Sequence, residues 1–147
     1  MIRTGSALVF GAVLVSTQAC TAVPDRSATS TVLLVASQDS RVGGEAYYEG
    51  TLRVENGCVV VGSSGSVAVP IFDPSVRLLD TGNELIDEAT GRRFRFGIRI
   101  RASAAWLRDN GRGWSPADID TVVGSTVPAQ CNRHTVLRLA ELQFVQR

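Results

Sequence analysis

Seven arginines lie close together in this 147-residue sequence, in which every basic residue is an arginine. They are Arg92, Arg93, Arg95, Arg99, Arg101, Arg108 and Arg112. A guanidinium group holds a carboxylate or a phosphate through two parallel hydrogen bonds. The cluster therefore predicts a surface that binds an anionic group, such as an acidic polymer or a lipid headgroup.

The element that must position this cluster is a strand over residues 93–101. Apolar residues alternate with arginines there, as on a strand with one buried face. The predicted buried face holds Phe94, Phe96, Ile98 and Ile100, and the predicted exposed face holds Arg93, Arg95, Arg99 and Arg101. The alternative is a solvated face whose arginines pair with neighbouring acids. Candidate acids are Asp80, Glu84, Asp87 and Glu88.

Aromatic residues flank an exposed loop downstream of this strand. Trp106 precedes the loop Asp109–Gly113. The two glycines of this loop predict a turn. Trp106 and Arg112 complete the predicted anion- or partner-binding surface. An alternative contact surface, for carbohydrate or peptide, consists of Tyr47, Tyr48, Trp106 and Trp114.

Composition and charge exclude several classes of protein. The sequence is 44% apolar and 20% charged, which is typical of a folded domain rather than a disordered chain. The net charge of +1 falls to zero if residues 1–19, which include Arg3, are removed. Because nucleic-acid-binding domains are normally strongly basic, we expect no nucleic-acid partner.

Catalytic motifs are missing from the sequence. His134 is the single histidine, no G-x-S-x-G segment is present, and Gly62–Gly65 has the composition of a turn. There is no Cys–His spacing typical of zinc sites and no phosphate-binding loop. We therefore predict no catalytic residue, no metal site and no cofactor, and a small hydrolase built on His134 is a remote alternative.

The first residues predict export and attachment to a membrane. Arg3 precedes the short apolar run Ala7–Val15, which is too short to span a bilayer but suits a signal peptide. The residues before Cys20 resemble a bacterial lipobox, in which this cysteine is lipidated and becomes the mature N-terminus. Thr17 departs from that pattern, and the alternative is an ordinary signal peptide that leaves Cys20 as a free thiol.

Cysteine counting agrees with lipidation. Of the 3 cysteines, one used for a lipid leaves Cys58 and Cys131 as a pair in an oxidising compartment. We predict that they form a disulfide. The expected location is the extracytoplasmic face of the cell membrane, with the lipid as the anchor.

The chain divides into a signal peptide at 1–19, a lipid-anchored tether at 20–46 and one β-domain at 47–147. Within the tether, Thr31–Ala36 is either a first strand or a short helix docked on the domain. In the domain, Asn56 and Gly57 separate two apolar-rich runs and predict a two-residue hairpin. That hairpin pairs Glu55 with Cys58 and places Cys58 on its outer face. Either the hairpin contains a bulge, or the Cys131 segment crosses this outer face.

Further short elements predict the fold class. A third strand at Val67–Phe72 contains Pro70, which favours an edge or a bulge. Short strands are expected at Val76–Leu79 and Glu84–Asp87, and a strand at Thr135–Val145 with a bulge near Ala140. Ser115, Pro116 and Asp118 predict the start of a short helix that ends at Gly124. We expect an all-β fold, a small closed or partly open OB-like Greek-key barrel with one short helix; the alternative is a small β-sandwich.

Three segments carry a resemblance to a known group of proteins. They are Gly50–Val61, Val69–Phe72 and Val127–Cys131. The sequence resembles small cell-envelope lipoproteins of GC-rich Gram-positive bacteria with a secreted OB-like β-domain. The resemblance covers most of residues 47–140 and implies fold and location, with no catalytic residues. Ala102–Trp106 departs from the glycine-rich turn that members of the group often have.

The sequence predicts an extracytoplasmic lipoprotein whose non-catalytic β-domain binds an envelope protein or an anionic polymer. One alternative is a structural or assembly accessory of the cell envelope with no ligand of its own.

Overall fold

Ten β-strands and one α-helix make up the part of the chain that the computed structural model describes, residues 30–38 and 46–145. The strands are β1 (Leu34–Val35), β2 (Ala46–Glu55), β3 (Cys58–Ser63), β4 (Ser66–Phe72), β5 (Val76–Leu78), β6 (Glu84–Asp87), β7 (Arg92–Arg95), β8 (Arg99–Asp109), β9 (Arg112–Gly113) and β10 (Val136–Phe144). The helix α1 spans Pro116–Val123. The predicted signal peptide, Cys20 and most of the predicted tether lie outside the described residues.

Five of the strands form a ring. β2 pairs with β3, β3 with β4, β4 with β10, β10 with β8, and β8 returns to β2. β4 and β10 run parallel, and the other ring neighbours run antiparallel. The order β8-β2-β3-β4 is that of a Greek key, in which the fourth strand lies beside the first. The structure thus confirms a small all-β fold with a ring-like sheet and one short helix.

A separate three-stranded sheet, β5-β6-β7, packs its apolar side against the interior of the ring. Leu85 of β6 and Phe94 of β7 are fully buried in the same cluster as Leu52 and Ile100 of the ring. The connection between β4 and β8 therefore contributes to the core instead of forming a long exposed loop.

The hairpin between β2 and β3 has the predicted register. Glu55 lies opposite Cys58 and Val54 opposite Val59. Asn56 and Gly57 both have positive φ, as a type I′ turn requires. The outer face therefore includes Cys58, as predicted.

Pro70 does not mark an edge, which corrects the sequence-based prediction. It is buried in β4, a strand with neighbours on both sides. On one side, β4 pairs with β3 as far as Ala68 and with β1 from Ile71 onward. Pro70 stands between these two ladders, where a proline nitrogen leaves no hydrogen bond of the ladder unmade.

A second apolar cluster covers the outside of β3 and β4. From these strands, Cys58, Val60, Val69 and Ile71 face outward into the cluster. They are covered by residues from β1, α1 and the loop that follows α1: Leu34, Ile119, Val127 and Cys131. In OB-type barrels, the outer face of the second and third strands is the usual ligand-binding surface. Here that face is buried under the protein's own chain.

The disulfide between Cys58 and Cys131 fastens this cover to the ring. The two Cα atoms are 5.3 Å apart, which is a normal disulfide separation, and both residues are buried. Between the alternatives of a bulge in the hairpin and a segment crossing its outer face, the structure shows the second. The predicted disulfide is confirmed.

Part of the predicted tether is built into the fold. Leu34 and Val35 form β1, parallel to β4, and Leu34 is buried. Val32 bridges to Cys58 and donates a hydrogen bond from its backbone nitrogen to the carbonyl of Gly57, at 2.7 Å. The strand alternative for this run is therefore the one observed, and the packed domain begins before residue 47.

The helix α1 starts and ends at the predicted residues. The Ser115 hydroxyl accepts a hydrogen bond from the Asp118 backbone nitrogen, and the Asp118 carboxylate accepts one from the Ser115 backbone nitrogen, a reciprocal capping box. The hydrogen bonds from Ser115 lower the pKa of Asp118. Gly124 ends the helix in the left-handed conformation. No helix in the described ranges is long and apolar enough to cross a membrane.

The last strand has the predicted irregularity. The register of β10 against β8 shifts between Ala140 and Gln143, and Glu141 between them has a φ of 54°. A bulge of this kind changes which face the following residues present. The change explains why the apolar positions of this strand shift phase in the sequence.

A buried charge joins β10 to the end of β4. Arg138 is 1% exposed and forms an ion pair with Asp73, at 2.5 Å between Nη2 and Oδ1. The same guanidinium donates to the carbonyls of Ile71 and Leu139. Removing one partner of such a pair leaves an uncompensated charge.

Replacing Cys58 and Cys131 together by serine is expected to lower the free energy of unfolding by about 4 kcal/mol. The disulfide closes a loop with a sequence separation of 73 residues, and loop closure of that length has about this value. Urea unfolding followed by tryptophan fluorescence measures the change.

The variant should also bind a hydrophobic dye before it unfolds, because the cover over β3 and β4 loosens. Cys20→Ser is the control. A loss below about 1 kcal/mol would show that packing alone holds the cover.

Candidate functional site

The predicted arginine strand is in fact two strands, which corrects the sequence analysis. Arg93 and Arg95 lie on β7 of the three-stranded sheet, whereas Arg99 and Arg101 lie on β8 of the ring. Gly97, with a φ of 93°, forms the turn between them. The backbone nitrogen of Gly97 donates to the carbonyl of Leu52, and the nitrogen of Leu52 donates to the carbonyl of Ile98. The four arginines therefore do not form one continuous row.

The apolar half of the same pattern was predicted correctly. Phe94 and Ile100 are buried, and Phe96 and Ile98 pack partly buried against the same core. Both strands face this one core, so their apolar residues alternate as on a single strand. The alternation alone does not reveal the turn at Gly97.

Three of the four arginines are paired with acids. Arg95 lies 2.9 Å from a Glu84 carboxylate oxygen. Glu49 lies between two guanidinium groups, 3.3 Å from Arg99 Nη2 and 3.8 Å from Arg101 Nε. Arg93 forms no ion pair among the described residues. Two carboxylates thus offset part of the charge of the four arginines, and Glu84 is the one of the two that the alternative interpretation named.

The pairing of β2, β8 and β10 builds a mixed polar and aromatic surface on the outside of the ring. Glu49 lies opposite Arg101, which lies opposite Gln143, while Arg99 lies opposite Thr51. We call this surface the Tyr47 face; it consists of Tyr47, Glu49, Arg99, Arg101 and Gln143, with Phe144 at its rim. A cavity of about 430 Å³ opens here, lined by Glu49, Arg101, Gln143, Phe144 and Val145.

Arg101 organises the Tyr47 face. Its guanidinium carbon lies 4.2 Å from the centre of the Tyr47 ring, a cation–π contact. Its Nε also lies 3.8 Å from a Glu49 carboxylate oxygen, so the guanidinium has two neighbours on this face. Tyr47 nevertheless remains 61% exposed. The contact therefore holds an aromatic ring in place while leaving much of it open to solvent.

Phe144 borders the cavity from the end of β10. Its ring stacks on Phe94 with 4.8 Å between the ring centres, yet half of the side chain is exposed. Sequence analysis did not assign a site role to Phe144, Gln143 or Glu49. Glu49 could be placed on an outward-facing side of β2, but its pairing with Arg101 depends on which strand β8 joins.

The two remaining predicted binding residues lie elsewhere. Trp106 packs its ring edge-to-face against Tyr48, with 5.8 Å between the ring centres, and is 48% exposed. Arg112 is on β9, in a hairpin with Asp109 opposite it and a turn at Asn110 and Gly111. The loop Asp109–Gly113 is largely exposed, as predicted. The predicted binding residues thus fall into separate groups.

Tyr48 has a buried hydroxyl. Its oxygen has no hydrogen-bonding partner among the described residues. Burial raises the pKa of Tyr48, and the nearby Ser66 hydroxyl and Arg53 guanidinium offset only part of that effect. The deprotonated form is therefore disfavoured in the folded protein.

The surroundings of His134 do not assemble a hydrolytic triad. Its backbone nitrogen donates to the Asn132 side chain, and its carbonyl accepts from the nitrogen of Gly111. In the part of the chain that the structure describes, its imidazole has no hydrogen bond to an acid or a hydroxyl group. Nor do residues 30–38 and 46–145 contain a group of three or more His, Cys, Asp or Glu able to hold a metal ion.

Comparison with known proteins finds no match: no family model fits the sequence, no curated protein is similar to it, and no solved structure matches the fold.

The phenolate absorbance of the Tyr47→Phe variant should rise only above the pH at which tyrosine ordinarily ionises. The protein contains 2 tyrosines, so this variant reports Tyr48 alone. Because the folded-state pKa is raised, the contribution of Tyr48 to stability is complete below the unfolded pKa and is lost as pH rises through the folded pKa. Urea unfolding of Tyr48→Phe should therefore show a weaker loss of stability at alkaline pH than the parent. A Tyr48 that titrates at the ordinary tyrosine pH contradicts the burial argument.

Proposed function

We propose that this protein is an extracytoplasmic lipoprotein that displays a non-catalytic β-domain and binds a component of the cell envelope through the Tyr47 face. The sequence features that support the anchor are Arg3 and the apolar run Ala7–Val15, followed by Cys20 in a context that resembles a lipobox. The resemblance to envelope lipoproteins of GC-rich Gram-positive bacteria agrees with that location.

The Tyr47–Arg101–Glu49 constellation is the observation that carries the binding proposal. It combines an exposed ring, a guanidinium in contact with that ring and a carboxylate, beside a cavity whose volume lies in the range of small-molecule sites. Tyrosine and arginine are enriched among the residues that contribute most to binding in protein interfaces. The other surface that barrels of this type use is covered by the second apolar cluster.

The ion pairs and the strand arrangement reduce the number of arginines that we assign to the binding surface. Arg95 is paired with Glu84, and it lies on the three-stranded sheet rather than on the ring. We therefore assign binding to the ring arginines Arg99 and Arg101 and treat Arg95 as outside the site. Since Glu49 compensates part of their charge, an anionic ligand is no longer the preferred one.

A second candidate function is that of an envelope accessory with no ligand of its own. The observation that favours it is that three of the four arginines already form ion pairs with two acids of the same domain. The two proposals differ in what the Tyr47 face contributes to retention in the envelope.

The mature protein should start at a lipid-modified Cys20. Intact mass measurement of protein extracted from membranes would show the removal of residues 1–19 and the added mass of acyl chains. Two or more chains give stable attachment. Cys20→Ala should move the protein from the membrane to the soluble fraction. An unmodified Cys20 or a retained Met1 on the membrane-bound protein contradicts the anchor.

Envelope binding is tested by sedimenting the purified protein with washed, insoluble envelope fragments. Tyr47→Ala and Arg101→Gln should each lower the bound fraction at least severalfold, because they remove the exposed ring and the group that holds it. Arg95→Gln is the matched control, since it also breaks an arginine–glutamate pair but on the other sheet. Equal retention of all variants would favour the accessory function.

A further inference from the structure

We propose that the Tyr47 face recognises an uncharged pyranose oligosaccharide. This inference rests on the proposed function and names the class of ligand that the site would bind.

The balance of charge on this face disfavours a polyanion. Among the described residues, Arg99 and Arg101 share the carboxylate of Glu49. Glu141 adds a second carboxylate close by, because it accepts a hydrogen bond of 3.0 Å from Ser103, which lies opposite Tyr47. The carboxylate of Glu49 thus offsets part of the positive charge of the two guanidinium groups. A phosphate- or carboxylate-rich polymer would meet repulsion as well as attraction, whereas a neutral ligand meets neither.

The polar groups suit hydroxyl ligands. Hydroxyl groups both donate and accept hydrogen bonds. Arg101 offers donors, Glu49 offers acceptors, and the amide of Gln143 offers both. These three residues line one cavity of about 430 Å³. Neighbouring hydroxyls of a sugar ring require this mixture, which a surface of arginines alone would not provide.

The exposed ring of Tyr47 supplies the apolar contact. A pyranose presents a flat face of C–H groups, and the electron-rich face of an aromatic ring attracts such weakly positive hydrogens. Arg101 contacts the ring at 4.2 Å, while 61% of Tyr47 remains accessible. The contact with Arg101 restrains the ring before binding, which lowers the entropy that a ligand must overcome.

The dimensions favour an oligosaccharide over a protein partner. A stable protein interface buries about 800 Å² on each partner around an apolar centre. The centre of the Tyr47 face is charged, since Glu49 and Arg101 occupy it. The cavity volume instead falls within the range of about 300–1,000 Å³ that small-molecule sites have.

The test measures binding of cello- and chito-oligosaccharides to the full chain held in phosphatidylcholine nanodiscs, by isothermal titration calorimetry and ligand-observed NMR. An oligogalacturonate of matched length serves as the anionic probe. At least one uncharged oligosaccharide should bind, and its affinity should change little with salt. Tyr47→Ala should weaken that binding about tenfold, as expected for the loss of one stacking contact. Tyr47→Phe keeps the ring and should retain most of the affinity.

Control variants locate the binding. Trp114→Ala removes another exposed aromatic residue, and Arg95→Gln removes another paired arginine; neither lies on the Tyr47 face. Both should bind like the parent. Circular dichroism of each variant establishes that it is folded, which the exposure of Tyr47 leads us to expect.

The other outcomes overturn the inference in distinguishable ways. Preferential, salt-sensitive binding of the oligogalacturonate would make the site an anion site. Oligosaccharide binding that is unaffected by Tyr47→Ala would place the sugar elsewhere. If no oligosaccharide binds while envelope sedimentation still depends on Tyr47, the ligand class is wrong but the proposed function stands, and a protein partner becomes the better interpretation. If sedimentation is also independent of Tyr47, both proposals fail.

Discussion

The disulfide between Cys58 and Cys131 is the constraint on which the arrangement of this domain depends. It links the loop after α1 to Cys58, the first residue of β3, whose side chain lies in the second apolar cluster. With the loop fixed, β1, α1 and the outer residues of β3 and β4 share one buried interior. A domain of this length has limited core surface, and a covalent link across it adds stability that packing alone would have to supply.

The same link determines where the domain can make contacts. The loop that it holds covers β3 and β4, the surface that barrels of this type commonly use. The part of β2, β8 and β10 that carries the Tyr47 face stays accessible. On that side the seam between the first and fourth strands of the Greek key places Glu49 opposite Arg101. The closure of the ring and the assembly of the Tyr47 face therefore have the same structural requirement, which is the pairing of β2 with β8.

Local signals in the sequence predicted local structure well. Asn56 and Gly57 predicted the turn and the register of the hairpin, and Ser115, Pro116 and Asp118 predicted the start of α1, because these preferences depend on near neighbours in the chain. Two predictions failed at positions where contacts with distant strands determine the local structure. Pro70 is tolerated in a paired strand because the partner changes from β3 to β1 beside it. The arginine strand is broken at Gly97, whose turn is fixed by hydrogen bonds to Leu52. Neither feature is visible in the alternation of side chains.

The contrast between local signals and distant contacts explains why the sequence identified the arginines but did not predict their ion pairs with Glu49. Their number and spacing are properties of the sequence, but their effective charge depends on which acids the fold brings to them. Glu49 is far from Arg101 in the sequence and becomes its neighbour only when the ring closes. Because exposed ion pairs contribute little to stability, the pairs of Glu49 with Arg99 and Arg101 do little to stabilise the fold. Their main physical effect is to offset part of the positive charge of Arg99 and Arg101 beside the exposed ring of Tyr47.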